Sequence, residues 1–266
     1  MSAPVLLSQV ESRVAVLRLN RPDALNALTP ALLRALSEAL ERAEADPEVG
    51  AILLVAEGRA FCAGADLADA EAQPPRDATG RPDLGASLEQ GYNPLVQRMQ
   101  QLRKPIVAAV QGIAAGAGAS LALMADLTVA ARSASFLQAF VNIGLIPDAG
   151  GTWILPRMAG RQRAMGMAML GERLSAETAR DWGLIWAVVE DDMLQTEAMA
   201  LAARLARGPT VALGHIKAAL TAAADNSLET QLADEVIRQR ACGHTQDFAE
   251  GVAAFLQKRP AVFKGR

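Results

Sequence analysis

Cysteine and histidine are scarce, with two of each in 266 residues. Cys62 and Cys242 form no CxxC pair and no disulfide framework, and His215 and His244 have no partners at metal-ligand spacing. No metal and no redox cofactor is therefore expected. Aromatic residues amount to 4%, with a single tyrosine, and the net charge is −3. Such a chain offers neither the basic field nor the aromatic–basic patterning that nucleic acid or an anionic membrane would require. No apolar run approaches the roughly 20 residues that span a bilayer. The opening MSAPVLLSQVESR lacks a basic segment followed by a long apolar one, so no signal peptide is expected. These absences together point to the reducing cytoplasm, without nucleic-acid or membrane partners.

Hydrophobic residues make up 51% of the chain and charged residues 21%, a balance typical of folded globular proteins. The length suffices for one large domain, or for a domain with an appended subdomain. Val14 to Leu19 (VAVLRL) alternates well enough for a partly exposed strand. Ala51–Val55, Ile106–Val110 and Leu127–Ala131 are short unbroken apolar runs, as expected of strands covered on both faces. Thr29-Pro30 predicts a helix start, because the hydroxyl can cap free amides and proline suits the first helical position. Leu32, Leu33, Leu36 and Leu40 give that helix an apolar stripe, and Asp46-Pro47 ends it. Strands leading through small-residue turns into helices predict an α/β architecture with a parallel sheet. Residues 70–91, rich in Pro, Gly and charge, read as a long loop. From about residue 157 the pattern is almost entirely helical, with Thr210, Ser227 and Thr245 at cap positions. The change of character near 190–200 predicts a core over 1–195 and a helical region over 196–266 suited to subunit contacts.

Two turns have a composition that invites chemistry. Gly58 to Leu67 (GRAFCAGADL) follows the AILLV strand, and Gln111 to Ser120 (QGIAAGAGAS) follows IVAAV. Small side chains let a ligand approach the backbone, and two such turns on neighbouring parallel strands could place two N–H donors on one oxygen. Close packing of helix on strand accounts for the same residues. Neither turn fits a phosphate-binding motif, since GxxxxGK[ST] and the third glycine of GxGxxG are both missing. The third feature is Asp148, the only ionisable side chain between Arg132 and Arg157. In such apolar company a carboxylate is desolvated and becomes a better base near neutral pH. A plain turn, or a cap on the following helix, is the alternative. Cys62 reads as small core filler and His215 as a surface or packing histidine.

These segments resemble the enoyl-CoA hydratase/isomerase (crotonase) superfamily. The likeness runs through LNRPDALNALT, GRAFCAGADL, KPIVAAVQGIAAGAGASLAL and IGLIPDAGGTWILPRMAGRQRAMGMAMLGERLSAETARDWGLI. It implies a spiral of ββα units and a helical C-terminal region that assembles trimers, often stacked as hexamers. It also implies an acyl-CoA substrate bound without any resident cofactor, the CoA being part of the substrate. Carried onto this chain, the oxyanion-hole amides fall on Ala65 and Ala117, the latter preceded by Gly116. Ala24, Leu25, Ala63, Asp66 and Leu67 match positions lining the CoA pocket, and Phe263 and Lys264 match a C-terminal pair that can reach a neighbour's CoA. Family hydratases activate water with two glutamates, but Ser120 and Phe140 occupy those positions. A single carboxylate, Asp148, suits an isomerase that moves a proton from the carbon alpha to the thioester to the gamma position. GYNPLVQRMQQLRKP, FVNIGLIPDAGGTWILPRMAG and GVAAFLQKRP further resemble the isomerases of aerobic phenylacetate breakdown, which turn the ring 1,2-epoxide of phenylacetyl-CoA into oxepin-CoA. Δ3,Δ2-Enoyl-CoA isomerisation, hydration and non-catalytic acyl-CoA binding are the alternatives.

Overall fold

The computed structural model describes residues 3–69 and 73–266. A six-stranded sheet runs in the order β1 (Leu6–Glu11), β2 (Val14–Leu19), β3 (Ala51–Ala56), β4 (Ile106–Val110), β6 (Leu127–Ala131), β9 (Ala187–Val189), and a three-stranded one in the order β5 (Ile113–Ala115), β7 (Ser135–Leu137), β8 (Arg173–Ser175). β1 (Leu6–Glu11) pairs antiparallel with β2 (Val14–Leu19), which continues in parallel to β3 (Ala51–Ala56). α1 (Pro30–Ala45) lies between β2 and β3 in sequence. Its start follows from the Thr29 hydroxyl, which accepts the Leu32 amide at 3.2 Å, and Leu32, Leu33, Leu36 and Leu40 form its buried face. β2 is buried almost throughout, rather than partly exposed as its alternation predicts, because α1 and the helix Leu194–Ala206 both pack on it. β3 and β4 (Ile106–Val110) are buried at every residue, as their unbroken apolar runs predict.

Residues 70–72 of the expected loop fall outside the described residues. The rest of that stretch is more ordered than its Pro and Gly content predicts. Asp83 caps α2 (Leu84–Ser87), a π turn covers Leu88–Tyr92, and α3 (Asn93–Gln101) follows without a break. Pro94 is accommodated because it sits in the first turn of α3, where no amide donor is required.

The long strands feed a second layer. β4 is followed by β5 (Ile113–Ala115) and then α4 (Ala117–Leu123), while β6 (Leu127–Ala131) is followed by β7 (Ser135–Leu137). β5 pairs in parallel with β7, Cys62 bridges Ala114, and Leu28 bridges Ala65, both in parallel. Each long strand therefore leads into a short segment that pairs with its counterpart from the next unit, and a helix follows. This is the ββα spiral.

The chain beyond residue 157 is not purely helical. α5 (Gly151–Ala159) and α6 (Arg161–Leu170) lead to β8 (Arg173–Ser175), α7 (Ala176–Asp181) and β9 (Ala187–Val189). Both strands are three residues long, too short to leave a period of two in the sequence. α8 (Leu194–Ala206) packs on β3, β4 and β6, so the expected division at 195/196 falls inside a helix that covers the main sheet. α9 (Thr210–Ala223), α10 (Leu228–Gly243) and α11 (Gln246–Leu256) complete the chain. Ser227 and Thr245 cap α10 and α11 as expected, whereas Thr210 lies inside α9 and its hydroxyl has no partner. Lys217 ties α9 to the core by donating to the Met99 carbonyl at 2.7 Å and to Asp126 at 3.0 Å.

The crossing from β4 into the second layer depends on Gly112. Its φ is +58°, and a Cβ there would lie 2.0 Å from the Arg59 carbonyl oxygen. Gly112→Ala should lower stability on the order of 3 kcal/mol or more, as measured by urea denaturation.

Candidate active site

Four backbone segments meet at the upper ends of β2, β3, β4 and β6. The first, residues 21–28, is held by Asn26, which is fully buried with φ +55°. Its amide donates to the carbonyls of Glu57 and Ala60 at 2.8 and 2.9 Å, and its oxygen accepts the Arg21 amide at 2.9 Å. Asn tolerates the left-handed region while satisfying neighbouring main chain. Asn26 therefore locks this loop to the strand exit that leads into the second segment. The sequence shows it only as part of LNRPDALNALT, where no role can be read for it.

The second segment is Cys62–Asp66. Its amides and carbonyls interleave with the first: Ala63 donates to Leu25, Leu28 to Gly64 and Asp66 to Leu28, at 2.7–3.0 Å. The third, Ala114–Gly118, lies alongside, with the Ala115 amide donating to the Cys62 carbonyl at 2.8 Å. Contact is close enough that a Cβ on Gly118 would sit 2.6 Å from both the carbonyl oxygen and the sulfur of Cys62. A Cβ on Gly64 would sit 3.7 Å from the Ala117 amide nitrogen. The turns carrying Ala65 and Ala117 are thus in direct contact, and neither amide donates to a carbonyl among the described residues. The small residues serve close packing and free amides together. The Cys62 thiol is pushed up to about 12 by burial, which removes it as a nucleophile.

The fourth segment carries Asp148. Pro147 to Gly150 form a turn, with the Gly151 amide on the Asp148 carbonyl at 2.8 Å. The side chain does not cap α5, whose N-cap is Gly150 without any side-chain bond. Instead Asp148 Oδ1 is buried with no hydrogen-bond partner, and burial pushes the carboxyl from 3.8 up to about 6. The turn packs on α4: a Cβ at Gly150 would meet the Met124 methyl at 2.2 Å, and one at Gly151 the Ser120 hydroxyl at 2.9 Å. Asp148 is therefore fixed against the helix that begins at Ala117. Phe140 is buried, with its ring 3.7 Å from the Cβ position of Gly116. Ser120 is fully buried and within 3.4 Å of the Gly116 carbonyl. Asp66, on the second segment, is paired with Arg21, and no carboxylate stands at the positions of Ser120 and Phe140 beside Asp148.

Other expected positions vary. Ala24, Leu25 and Ala63 are partly buried on the first two segments. Asp66 is held by Arg21 at 2.8 Å; partial burial opposes its ionisation, but the Arg21 hydrogen bond keeps its carboxyl below the ordinary value. Leu67 is 68% exposed at the rim. Phe263 and Lys264 lie against α11, the ring 3.6 Å from the Cβ position of Gly251 and the Lys264 amide on Asp247 at 2.7 Å. Their contacts within the chain are with α11, not with the Ala65 and Ala117 turns. Of two further buried groups, the sequence left Gln138 unremarked and marked Tyr92 only as part of the GYNPLVQRMQQLRKP segment. Gln138 is completely enclosed with both amide atoms unpartnered. Tyr92 ends the π turn, and burial followed by the charges of Asp148, Cys62 and Asp66 pushes its phenol above the ordinary range. No cluster of groups able to hold a metal ion occurs among the described residues.

A family described as enoyl-CoA hydratase/isomerase matches residues 9–266. The chain belongs to this family. Over 98% of either chain it is 51% identical to the 1,2-epoxyphenylacetyl-CoA isomerase of Escherichia coli (strain K12). It is 47% identical, over the full length of both, to a "Probable enoyl-CoA hydratase" of Rhodobacter capsulatus. Among solved structures, an enoyl-CoA hydratase from Polaromonas sp. JS666 superposes with a TM-score of 0.90 at 36% identity, covering 97% of this chain and 99% of that one. Enoyl-CoA hydratase/isomerase enzymes act on CoA thioesters, and this chain has their crotonase fold. None of its described helices is long and apolar enough to cross a membrane.

A carboxylate held dry at this cost opposes folding. The folded carboxyl titrates near 6 against an ordinary 3.8, so the folded state is penalised above pH 6, where both states are ionised. Asp148→Asn should accordingly be more stable than the parent at pH 8, by up to about 3 kcal/mol. The difference should close as the pH falls from about 6 towards 4, because the folded carboxyl takes up its proton first. Urea denaturation across that pH range measures it.

Proposed function

We propose that the chain is an isomerase of acyl-CoA thioesters in which Asp148 carries a proton from the alpha to the gamma carbon. The observation that carries this reading is the desolvated carboxylate of Asp148, with one oxygen unpartnered, on a turn packed against α4. The thioester oxygen would lie between the amides of Ala65 and Ala117, and charge developing there is stabilised by donors that need no rearrangement. Deprotonation gives an enolate conjugated with the beta,gamma double bond. Asp148 returns the proton at the gamma carbon, leaving an alpha,beta-unsaturated thioester with no atom gained or lost. A carboxyl titrating near 6 takes a carbon-bound proton at neutral pH and gives it back readily. Phe140 over Gly116 keeps water from the enolate.

The substrate we infer is the ring 1,2-epoxide of phenylacetyl-CoA. The bond shared by the two epoxide carbons opens to a seven-membered ring, and the same alpha-to-gamma proton shift then yields the conjugated oxepin-CoA. The 51% identical relative of that name supports this choice over a Δ3,Δ2-enoyl-CoA isomerase of general β-oxidation. The 47% identical relative bears a hydratase name, which favours hydration as a second reading. Against it stand Ser120 and Phe140, since neither can take a proton from water at pH 7. The enzyme is placed in the cytoplasm on this reading and needs no cofactor. Exposed apolar side chains on α9, α10 and α11, including Leu220, Ile237 and Phe255, support assembly into a homotrimer or hexamer. In such an assembly Phe263 and Lys264 would meet a neighbour's CoA.

Asp148→Asn should lower kcat for isomerisation by about 10²–10⁴-fold while leaving the affinity for a non-reactive acyl-CoA nearly unchanged; wild-type turnover would sink the assignment. In the parent enzyme kcat/KM should fall as the pH drops below about 6, following protonation of the base, in a stopped-flow or spectrophotometric pH profile. Crotonyl-CoA should not be hydrated above the uncatalysed rate, and hydration matching isomerisation would favour the second reading.

A further inference from the structure

Tyr92 is the only tyrosine of the chain and ends the π turn Leu88–Tyr92, an irregularity found often at functional sites. Its side chain is 9% exposed. A phenol in such surroundings normally finds a hydrogen-bond partner, yet no described residue bonds this hydroxyl, and it is not among the fully enclosed polar atoms, so it opens onto accessible space near Asp148, whose charge acts on it. Its place relative to the base follows from α3. Val96, one turn beyond Tyr92 and so on the same helix face, lies 3.3 Å from the Cβ position of Gly150, two residues from Asp148. The face of α3 that bears Tyr92 therefore packs against the turn that bears the carboxylate. Met124 and Pro147 supply apolar surface to that turn, and the Ser120 hydroxyl against it is directed to the Gly116 carbonyl. The amide of Gln138 is sealed at 0% exposure, whereas Tyr92 keeps the access that a diffusing substrate needs.

We propose that Tyr92 determines acyl specificity by donating its hydroxyl hydrogen to an oxygen carried on the acyl group itself, an epoxide or cyclic ether oxygen beyond the thioester. The assignment rests on the isomerase reading above and adds to it the group that distinguishes an oxygenated ring from a plain unsaturated chain. A hydrocarbon acyl group would leave the phenol desolvated and unpaired, so the residue also selects against such substrates.

The test is Tyr92→Phe, which removes one oxygen and keeps the ring. Values of kcat/KM are measured for parent and variant on the phenylacetyl-CoA 1,2-epoxide and on 3-hexenoyl-CoA, whose only acyl oxygen is that of the thioester. The ratio of the two values should shift by about tenfold towards 3-hexenoyl-CoA, the worth of one neutral hydrogen bond. A ratio left unchanged, whether both activities fall together or neither moves, overturns the assignment while leaving the isomerase reading intact. A parent enzyme that isomerises 3-hexenoyl-CoA but is inert towards the epoxide overturns the inferred substrate, and the role of Tyr92 with it.

Discussion

Two stretches of main chain, Cys62–Ala65 and Ala114–Gly118, run past each other with almost nothing between them, and the rest of the site is arranged around that contact. Its closeness is set by the absence of side chains. A single added carbon on Gly118 would strike the Cys62 carbonyl and sulfur at 2.6 Å. Parallel strands deliver the two stretches at the same height, because β3 and β4 pair in register through Ile52–Leu54 and Ile106–Ala108. The amides of Ala65 and Ala117 are left without an acceptor in consequence. Had either turn carried larger side chains, those amides would be shielded or the layers forced apart. The main sheet thus acts as a ruler for the small second layer.

Asp148 contrasts with three other charged groups that the fold takes out of water. Lys104 donates to the carbonyls of Ala43 and Asp46 at 2.6 Å. Asp126 accepts the Ile106 amide and the Lys217 ammonium, and Asp247 accepts the amides of Lys264 and Gly265. Each of these buried charges is compensated, as burial demands. Asp148 keeps an oxygen unbonded in a turn that α4 and α3 hold in place. Uncompensated groups of this kind persist where chemistry uses them, because selection for stability alone would remove them.

Several features could be read from the chain directly. The limits of β4 and β6 coincide with the runs IVAAV and LTVAA, whose one polar side chain, Thr128, is satisfied by the Ala122 carbonyl. The α1 start followed from Thr29-Pro30, a local signal needing no tertiary partner. Asp148 stood out because its surroundings lack any other ionisable group. The ordered helix over Leu84–Gln101 was hidden by Pro82, Gly85, Gly91 and Pro94, which favour a loop locally but are tolerated here at caps, the π turn and a first helical position. Asn26 and Gln138 gave no signal of their own, because a polar residue's burial depends on what is folded against it.

By itself the sequence determined β2, β3, β4, β6 and α1, the two small-residue turns, the isolation of Asp148 and membership of the enoyl-CoA hydratase/isomerase family, all of which depend on local composition and spacing. Tertiary structure alone decided that Cys62 pairs with Ala114 and Leu28 with Ala65, that Phe140 covers Gly116, and that the turn of Asp148 rests on α4. Those are contacts between segments tens of residues apart. They are fixed by the strand order of a sheet, which no single stretch of sequence encodes.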